Sequence, residues 1–337
     1  MKVLQWILQA DNKYSITKGG AKVDKKPLLL LYNPVAGNRS FPQHLDYFIY
    51  QFLRQGYEIH PVRTRSEKHF IQCFHNRNLH EYSGVFVAGG DGTVHMAANE
   101  LIKKEAETPL GIIPAGTVND TAYNLGISQD LRTAIETMAL GSQRKIDIGE
   151  ANGRYFMNSC GAGLFSEVAH TTERELKNLL GRTAYYLKGI SELPRFKVLD
   201  IRLTIDGKEY DELFYLYLIV NGKSAGGFRN LVTQASMEDG QFDFLGIRKC
   251  PLNELSVLFA KILMGKYKDK NVMLLQGEHI EVECRGENCN QKTDVDGEQG
   301  PAMPLDVRVH AKKLNMWMPG QLPREISYEE EIRGLYP

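Results

Sequence analysis

This sequence contains no long hydrophobic run and few cysteines. No apolar stretch reaches the roughly 18 residues that a membrane-spanning helix needs. Residues 1–8 hold too short an apolar segment for a signal peptide, and no small-residue cleavage site follows. The five cysteines are odd in number and scattered, which argues against a disulfide framework. These absences predict a cytoplasmic protein without a transmembrane segment.

The chain also lacks net charge. Its 41 lysines and arginines balance 41 aspartates and glutamates, so the composition does not predict broad nucleic-acid binding. Cys284 and Cys289 lie close together, but no second cysteine pair or histidine cluster accompanies them to complete a zinc site. What is present is 42% apolar residues over 337 positions, which is enough for two ordinary globular domains.

Three glycine-bearing turns each follow an apolar run of strand length. We name them by their residues: the NPVAG turn (33–37), the GGDGT turn (89–93) and the GTVND turn (116–120). The segments between them have helical spacing of apolar residues, so the three strand ends are predicted to share one edge of a parallel sheet. Nucleotides bind at that edge in open α/β sheets. The turns therefore predict phosphate chemistry in the first half of the chain.

The second half has a different texture. After residue 141, apolar and polar residues alternate as in antiparallel strands, with hairpin signals at residues 151–153 and 206–207. Helices are predicted at about residues 166–193 and 252–264, where apolar residues recur at helical spacing.

The predicted fold class is therefore α/β with two domains. A doubly wound parallel α/β domain is expected over residues 1–142 and 311–337, where the last segment packs back on the first half. An antiparallel β-rich domain is expected over residues 143–310. Residues 1–26 are polar and are predicted to form a loose extension.

Asp91 is the unusual member of the GGDGT turn. The glycines let backbone N–H groups approach phosphate oxygens, and the following helix directs its positive end at an anion. A carboxylate would repel a polyphosphate unless a bridging Mg²⁺ or an incoming hydroxyl relieves the conflict. The alternative is an Asp-Gly turn with a capping carboxylate, but the neighbouring motifs favour a functional role. Asp120 in the GTVND turn is either a site residue or an N-terminal helix cap.

A second set of carboxylates lies far along the chain, in the DVDGE turn (294–298). Phosphoryl transfer to an alcohol needs a carboxylate base near the attacking hydroxyl. Asp296 and Glu298 could supply that base if the second domain faces the cleft. The alternative is an acidic surface turn.

These motifs, in this order and spacing, resemble the soluble bacterial diacylglycerol-kinase-type lipid kinases, whose superfamily includes sphingosine and ceramide kinases. The resemblance runs from about Pro27 over nearly the whole chain. It implies two domains with the nucleotide in the cleft between them, and ATP and Mg²⁺ as cofactors. It also implies transfer of the γ-phosphate to the hydroxyl of a lipid such as diacylglycerol, giving phosphatidic acid or a related phospholipid.

The resemblance also assigns roles to individual residues. Asp296 or Glu298 would act as the base, with Asp91 near the phosphates and the metal. A structural Mg²⁺ would be held by Asp239 and by the carbonyls of Ser236 and Gln241, an all-oxygen set that suits a hard cation. The residues expected to contact ATP are Asn33, Pro34, Val35, Ala36, Gly37, Thr64, Gly89, Gly90, Asp91, Gly92, Thr93, Val94, His95 and Thr117.

The expected partner is a lipid at a membrane surface, with peripheral association during turnover, no nucleic acid and a possible homodimer. The helix at 252–264 is followed by Lys266, Lys268 and Lys270, so it is either a membrane-docking surface or a core-packing element. The sequence departs from the family pattern at His95, where Asn is usual, and at Thr121 and Tyr123, where Phe and Arg are common. These departures leave the acceptor lipid open.

Two other functions are considered. A small-metabolite kinase of the NAD kinase type explains the GGDGT turn but neither the NPVAG turn nor the DVDGE turn. A non-catalytic lipid-binding regulatory protein predicts the loss of a catalytic carboxylate, whereas Asp91, Asp296 and Glu298 are all present.

Overall fold

A computed structural model of the chain describes residues 26–37, 39–163, 198–263, 266, 268–286 and 293–322. The α-helices in this part of the chain are α1 (Leu45–Leu53), α2 (Glu67–His75), α3 (Asp91–Lys103), α4 (Asp120–Asn124), α5 (Leu131–Ala139) and α6 (Leu252–Leu263). The strands are β1 (Lys26–Tyr32), β2 (Tyr57–Arg63), β3 (Gly84–Gly89), β4 (Leu110–Pro114), β5 (Ser142–Ala151), β6 (Arg154–Phe156), β7 (Ser159–Gly163), β8 (Leu199–Ile205), β9 (Lys208–Val220), β10 (Phe242–Arg248), β11 (Val272–Gly277), β12 (His279–Arg285), β13 (Thr293–Val295), β14 (Glu298–Gln299) and β15 (Leu305–Met318).

The first half of the chain builds a parallel sheet in the order β2–β1–β3–β4. Residues 28–31 and 85–88 are continuous apolar runs whose side chains are all buried, as expected for strands covered on both faces. The C-terminal ends of β1, β3 and β4 lie at one edge of this sheet, where the three glycine turns begin. The predicted arrangement of the strand ends is confirmed.

The second half is antiparallel and continues the same sheet. Its strands run in the order β14–β13–β7–β9–β8–β12–β15, with β10 and β11 added beside β9. The long strand β15 joins the two halves, because it pairs antiparallel with β12 and β5 and contacts β4 at Met316. The predicted fold class, a parallel α/β part followed by an antiparallel β-rich part, is confirmed.

Both predicted hairpins are present. Asn152 and Gly153 join β5 to β6, and Asp206 and Gly207 join β8 to β9, each pair with positive φ at both positions. This backbone is the tight two-residue turn that matches the twist of antiparallel strands.

The predicted helix at 252–264 is observed as α6. Its residues Leu255 and Leu258 are buried in an apolar cluster against the second-half sheet, which supports the core-packing interpretation. Lys270, which lies beyond the end of α6, forms an ion pair with Glu254 in that helix. No described helix is long and apolar enough to cross a bilayer. The predicted helix at 166–193, the extension before residue 26 and the segment after residue 322 lie outside the described residues.

Candidate active site

The three glycine turns touch one another. A Cβ added to Gly37 would lie 2.2 Å from the carbonyl oxygen of Ala115, and one added to Gly116 would lie 2.3 Å from Gly90 Cα. Backbone therefore packs on backbone from the NPVAG turn to the GTVND turn, and from there to the GGDGT turn. Only glycine permits these approaches. The turns form one continuous surface of main chain at the sheet edge.

This close packing gives a stability prediction. We expect Gly116→Ala to lower the free energy of unfolding by about 1–3 kcal/mol, because the added methyl group meets backbone that cannot move aside. Gly92→Ala is the matched control, since nothing lies within 4 Å of a Cβ at that position. Urea denaturation of both variants measures the difference. Equal stability of the two variants would contradict the packing argument.

The GGDGT turn leads directly into α3, with Gly90 as the N-cap and Asp91 as the first helical residue. The free N–H groups and the positive end of the helix dipole therefore face the sheet edge, where they favour an anion. The Asp91 carboxylate accepts hydrogen bonds from the Thr121 N–H (2.9 Å) and from the Thr121 hydroxyl (3.2 Å). Thr121, which directly follows the GTVND turn in α4, thus fixes the orientation of Asp91.

Asp120 is not a helix cap. It is the first residue of α4 and is buried, and its carboxylate accepts hydrogen bonds from the Ser224 hydroxyl and from the Gly227 N–H (2.8 Å). Burial raises the pKa of Asp120, and the negative charge of Asp91 acts in the same direction. Asp120 therefore links the GTVND turn to the second half of the chain and lies within electrostatic range of Asp91.

The remaining predicted nucleotide residues lie around these turns. Thr64 is buried at the end of β2, and its hydroxyl donates to the carbonyl of Tyr32, the last residue of β1. Asn33 closes the NPVAG turn on itself by accepting from the Val35 N–H (3.1 Å). Val35 is 60% exposed despite its apolar side chain, and Thr117 is also exposed.

The DVDGE turn reaches the same site from the second half. Asp296 is a turn residue with φ +51°, and its side chain is only 1% exposed. Its two carboxylate oxygens accept from His95 Nδ1 (2.9 Å) and from the N–H groups of Met157 (2.7 Å), Asn158 (2.8 Å) and Ser159 (3.0 Å). Both oxygens are therefore occupied by protein donors.

Glu298 differs from Asp296 in its exposure and in its partners. Its side chain is 52% exposed, and its one ion-pair partner among the described residues is Arg154, at 2.5 Å. Arg154 also donates to the carbonyl of Gln299, so it fixes the end of the DVDGE turn. Of the two carboxylates left open by the sequence, Glu298 is the one that a ligand can reach.

The contact between His95 and Asp296 joins α3 to the DVDGE turn. Burial alone lowers the pKa of His95, but the hydrogen bond and the charge of Asp296 outweigh burial and raise it. Glu298 acts in the same direction as Asp296, and Arg154 opposes it. His95 was predicted to contact ATP, but its ring nitrogens lie against Asp296 and Asn99.

The raised pKa of His95 predicts a pH-dependent stability. A group with a raised folded pKa contributes stability that is complete below its unfolded pKa of 6.5 and is lost as pH rises through the folded pKa. We therefore expect the melting temperature to fall over the pH range above 6.5, and to fall less in His95→Asn.

Melting curves across this range test the prediction. The control is His310→Asn, because His310 forms a partly exposed pair with Glu150 at 2.7 Å. A slope that changes equally in both variants would show that His95 has no special contribution.

The loop predicted to hold a structural Mg²⁺ is built around a buried carboxylate. Asp147 is fully buried, and its side chain accepts from the Gly240 N–H (2.7 Å), next to the predicted ligand Asp239. Burial raises the pKa of Asp239, and the charge of Asp147 adds to that effect. The Asp239 carboxylate and the backbone carbonyls of Ser236 and Gln241 are an oxygen donor set that fits a hard divalent cation.

A different group of possible metal ligands lies on β12 and β15. His279, Glu281 and Asp306 converge there, and no other such group of three occurs within the described ranges. Arg308 donates hydrogen bonds to both oxygens of Asp306, at 2.8 and 2.9 Å, so the arginine side chain already neutralises this carboxylate. The group is therefore a surface charge network.

Sequence reasoning assigned no site role to several residues that complete the site. Thr121 holds Asp91, Asn158 donates to Asp296, Arg154 pairs with Glu298, and Asp147 supports the metal loop. Each acts through a partner distant in the sequence, so no local motif marks it.

Comparison with known proteins agrees with this architecture. Residues 27–151 match the diacylglycerol kinase catalytic domain, and residues 158–318 match the YegS C-terminal NAD kinase beta sandwich-like domain. The crystal structure of a diacylglycerol kinase from Bacillus anthracis Sterne superposes with a TM-score of 0.72 at 25% identity, covering 88% of this chain and 98% of that one.

Relatives in the sequence comparison cover almost the whole chain. A diacylglycerol kinase of Bacillus subtilis strain 168 is 31% identical over 301 residues, which is 88% of this chain and 98% of the relative. A diacylglycerol kinase of Staphylococcus aureus strain bovine RF122 is 30% identical over 304 residues, which is 89% and 95% of the two chains. The resemblance inferred from the motifs is confirmed: the chain belongs to the diacylglycerol kinase family and is a phosphotransferase of the kinase class.

Proposed function

We propose that this protein is an ATP- and Mg²⁺-dependent lipid kinase that phosphorylates the hydroxyl of diacylglycerol and produces phosphatidic acid. The observation that carries the proposal is the meeting of two distant segments. The DVDGE turn of the second half contacts α3 through His95 and Asp296, one helical turn from Asp91. A phosphate-binding edge and a set of carboxylates from opposite halves of the chain thus face one site.

The nucleotide binds on the main-chain surface formed by the three glycine turns. Backbone N–H groups and the N-terminus of α3 hold the phosphates, because their positive ends are aimed at the sheet edge. Thr64 supports the turn after β1, and the exposed side chains of Val35 and Thr117 lie where the nucleotide enters.

The proposed site brings the negative charge of Asp91 close to the negative phosphates of the nucleotide, so it requires Mg²⁺. When bound, Mg²⁺ neutralises the phosphate oxygens and orients the γ-phosphoryl group. Asp91 faces this region with its orientation set by Thr121. A second, structural Mg²⁺ would be held by the Asp239 carboxylate and the carbonyls of Ser236 and Gln241.

Glu298 is the general base of the proposed reaction. It takes the proton of the lipid hydroxyl as the oxygen attacks the γ-phosphorus. The bond between the γ-phosphorus and the oxygen that bridges it to the β-phosphate breaks, and ADP leaves. Arg154 holds the Glu298 carboxylate in place. We assign this role to Glu298 rather than to Asp296, because both Asp296 oxygens accept protein hydrogen bonds and the Asp296 side chain is buried. Asp296 instead fixes the turn that carries Glu298.

The lipid meets the enzyme at a membrane surface. The chain has no described helix that could span a bilayer, so we propose peripheral association during turnover in a cytoplasmic protein. A homodimer remains a prediction from the resemblance.

The proposal is tested with purified protein, labelled ATP and Mg²⁺ in three parallel reactions. Mixed micelles containing diacylglycerol are expected to yield labelled phosphatidic acid, and chelation of Mg²⁺ is expected to abolish it. NAD⁺ as the acceptor tests the small-metabolite alternative. A total lipid extract tests for another acceptor lipid. Absence of a labelled lipid from both lipid reactions would overturn the proposal and favour a regulatory role.

A further inference from the structure

We propose that Thr121, Asn158 and His95 are positioning residues that join Asp91 to Asp296 in one closed hydrogen-bonded circuit. We call this set of five residues the Asp91–Asp296 circuit. Its function rests on the proposed kinase reaction: it holds the phosphate-binding edge and the DVDGE turn in one alignment. None of the three positioning residues needs to touch the substrate.

The circuit begins at Asp91 and passes through the Thr121 hydroxyl group, which lies beside a second bond from the Thr121 N–H to Asp91 (2.9 Å). Thr121 Oγ1 donates to Asp91 Oδ1 at 3.2 Å and accepts from Asn158 Nδ2 at 2.7 Å. Thr121 is 1% exposed, so water cannot replace either bond. One hydroxyl that donates to one side and accepts from the other couples the orientation of Asp91 to that of Asn158.

Asn158 carries the circuit from the first half of the chain to the second. Its side chain donates to Thr121, while its own backbone N–H donates to Asp296 Oδ1 at 2.8 Å. Asn124 Nδ2 donates to Asn158 Oδ1 at 3.2 Å, so the side-chain amide is held on both of its polar atoms. A shift of Asn158 therefore moves the group that binds Asp296.

His95 closes the circuit. Its Nδ1 lies 2.9 Å from Asp296 Oδ2, and its other ring nitrogen lies 3.1 Å from Asn99 Nδ2, which fixes the rotation of the ring. His95 follows Asp91 by four residues on α3, so both side chains are on the same face of the helix, about one turn apart. The path that leaves α3 at Asp91 thus returns to α3 at His95.

Because the path is closed, it restricts the position of the DVDGE turn relative to α3 more than its separate hydrogen bonds would. Glu298 lies two residues beyond Asp296, and the nucleotide edge begins at Asp91, so the circuit sets the distance between the two reacting ends of the site. Misplacement of reacting groups by about 1 Å can cost about 10²-fold in rate. Opening the circuit anywhere is therefore expected to reduce kcat while nucleotide affinity is retained.

The test uses shape-matched variants. Thr121→Val removes the hydroxyl and keeps the volume, and Thr121→Ser restores the hydroxyl. His95→Leu removes both ring nitrogens, and His95→Asn keeps a donor near the position of Nδ1. Thr108→Val is the control, because the buried Thr108 hydroxyl donates to the Leu79 carbonyl (2.9 Å) before β4, at the opposite end of that strand from the GTVND turn.

We expect Thr121→Val and His95→Leu each to lower kcat by about tenfold or more, with less than a twofold change in KM for ATP. Thr121→Ser and His95→Asn are expected to recover most of that loss. The double variant Thr121→Val/His95→Leu is expected to lose less than the product of the single losses, because one break already opens the circuit. A kcat like that of Thr108→Val, or losses that multiply, would overturn the proposal.

Hydrogen exchange provides a measurement that does not depend on turnover. The amides of Met157, Asn158 and Ser159 donate to Asp296, so their exchange is expected to accelerate at least several-fold in Thr121→Val and in His95→Leu, and not in Thr108→Val. Unchanged exchange would overturn the circuit even in an active enzyme. If the wild type phosphorylates no lipid but both variants exchange faster at these amides, the circuit is supported and the proposed function is overturned.

Discussion

Glu298→Gln is expected to lower kcat by about 10³-fold without unfolding the protein. A positioned general base contributes about 10²–10⁴-fold to a rate, and glutamine has the shape of glutamate without its basicity. The amide oxygen can still accept from Arg154, so the DVDGE turn keeps its end contact. Because the change removes an interaction made at the reacting hydroxyl, we expect ATP affinity and the melting temperature to remain close to those of the wild type.

The experiment combines steady-state kinetics with an ATP titration of the variant. Glu283→Gln is the matched control: Glu283 is 55% exposed and pairs with Arg202 at 3.7 Å, but it lies on β12, away from the turn. A Glu298→Gln variant that keeps more than half of the wild-type kcat would return the role of base to another group.

Local sequence patterns were sufficient to predict the sheet edge at which the three glycine turns lie. The apolar runs at residues 28–31 and 85–88 are buried strands, and the glycine turns follow them as expected, since each turn depends on neighbouring residues only. The hairpins at residues 152–153 and 206–207 were predictable for the same reason. Asn, Asp and Gly in the sequence predict a turn that requires positive φ.

The environment of the DVDGE turn could not be predicted in this way. Asp296 receives its donors from residues 137 to 201 positions earlier in the chain, so no spacing rule connects them. An acidic turn is expected to be exposed. In the structure the Asp296 side chain is buried, whereas Glu298, two residues later, is exposed. Tertiary packing decides which of the two is accessible, and the sequence alone left both as candidates for the base.

Asp296→Asn is expected to have the opposite signature to Glu298→Gln, namely a large loss of stability. Removing one partner of a buried ion pair costs about 3–5 kcal/mol, because the remaining polar groups stay buried without compensation. The carboxylate accepts four N–H groups, whereas an asparagine side chain offers one oxygen and places its own N–H groups against the rest. Urea denaturation near pH 6 measures the effect.

Two comparisons make this prediction specific. Asp306→Asn is the matched control, because Asp306 is also 2.9 Å from a histidine nitrogen but has a 46% exposed side chain, so water compensates its loss.

The pKa of Asp296 provides the second comparison. Burial alone raises it, but the bond and charge of His95 and the backbone donors outweigh burial and lower it below 3.8. A lowered folded pKa gives stability that is present above the unfolded pKa and is lost as pH falls through the folded pKa. The stability gap between wild type and Asp296→Asn is therefore expected to narrow below about pH 4. A gap that is small at pH 6, or that persists unchanged in acid, would show that the Asp296 carboxylate does not hold the two halves of the site together.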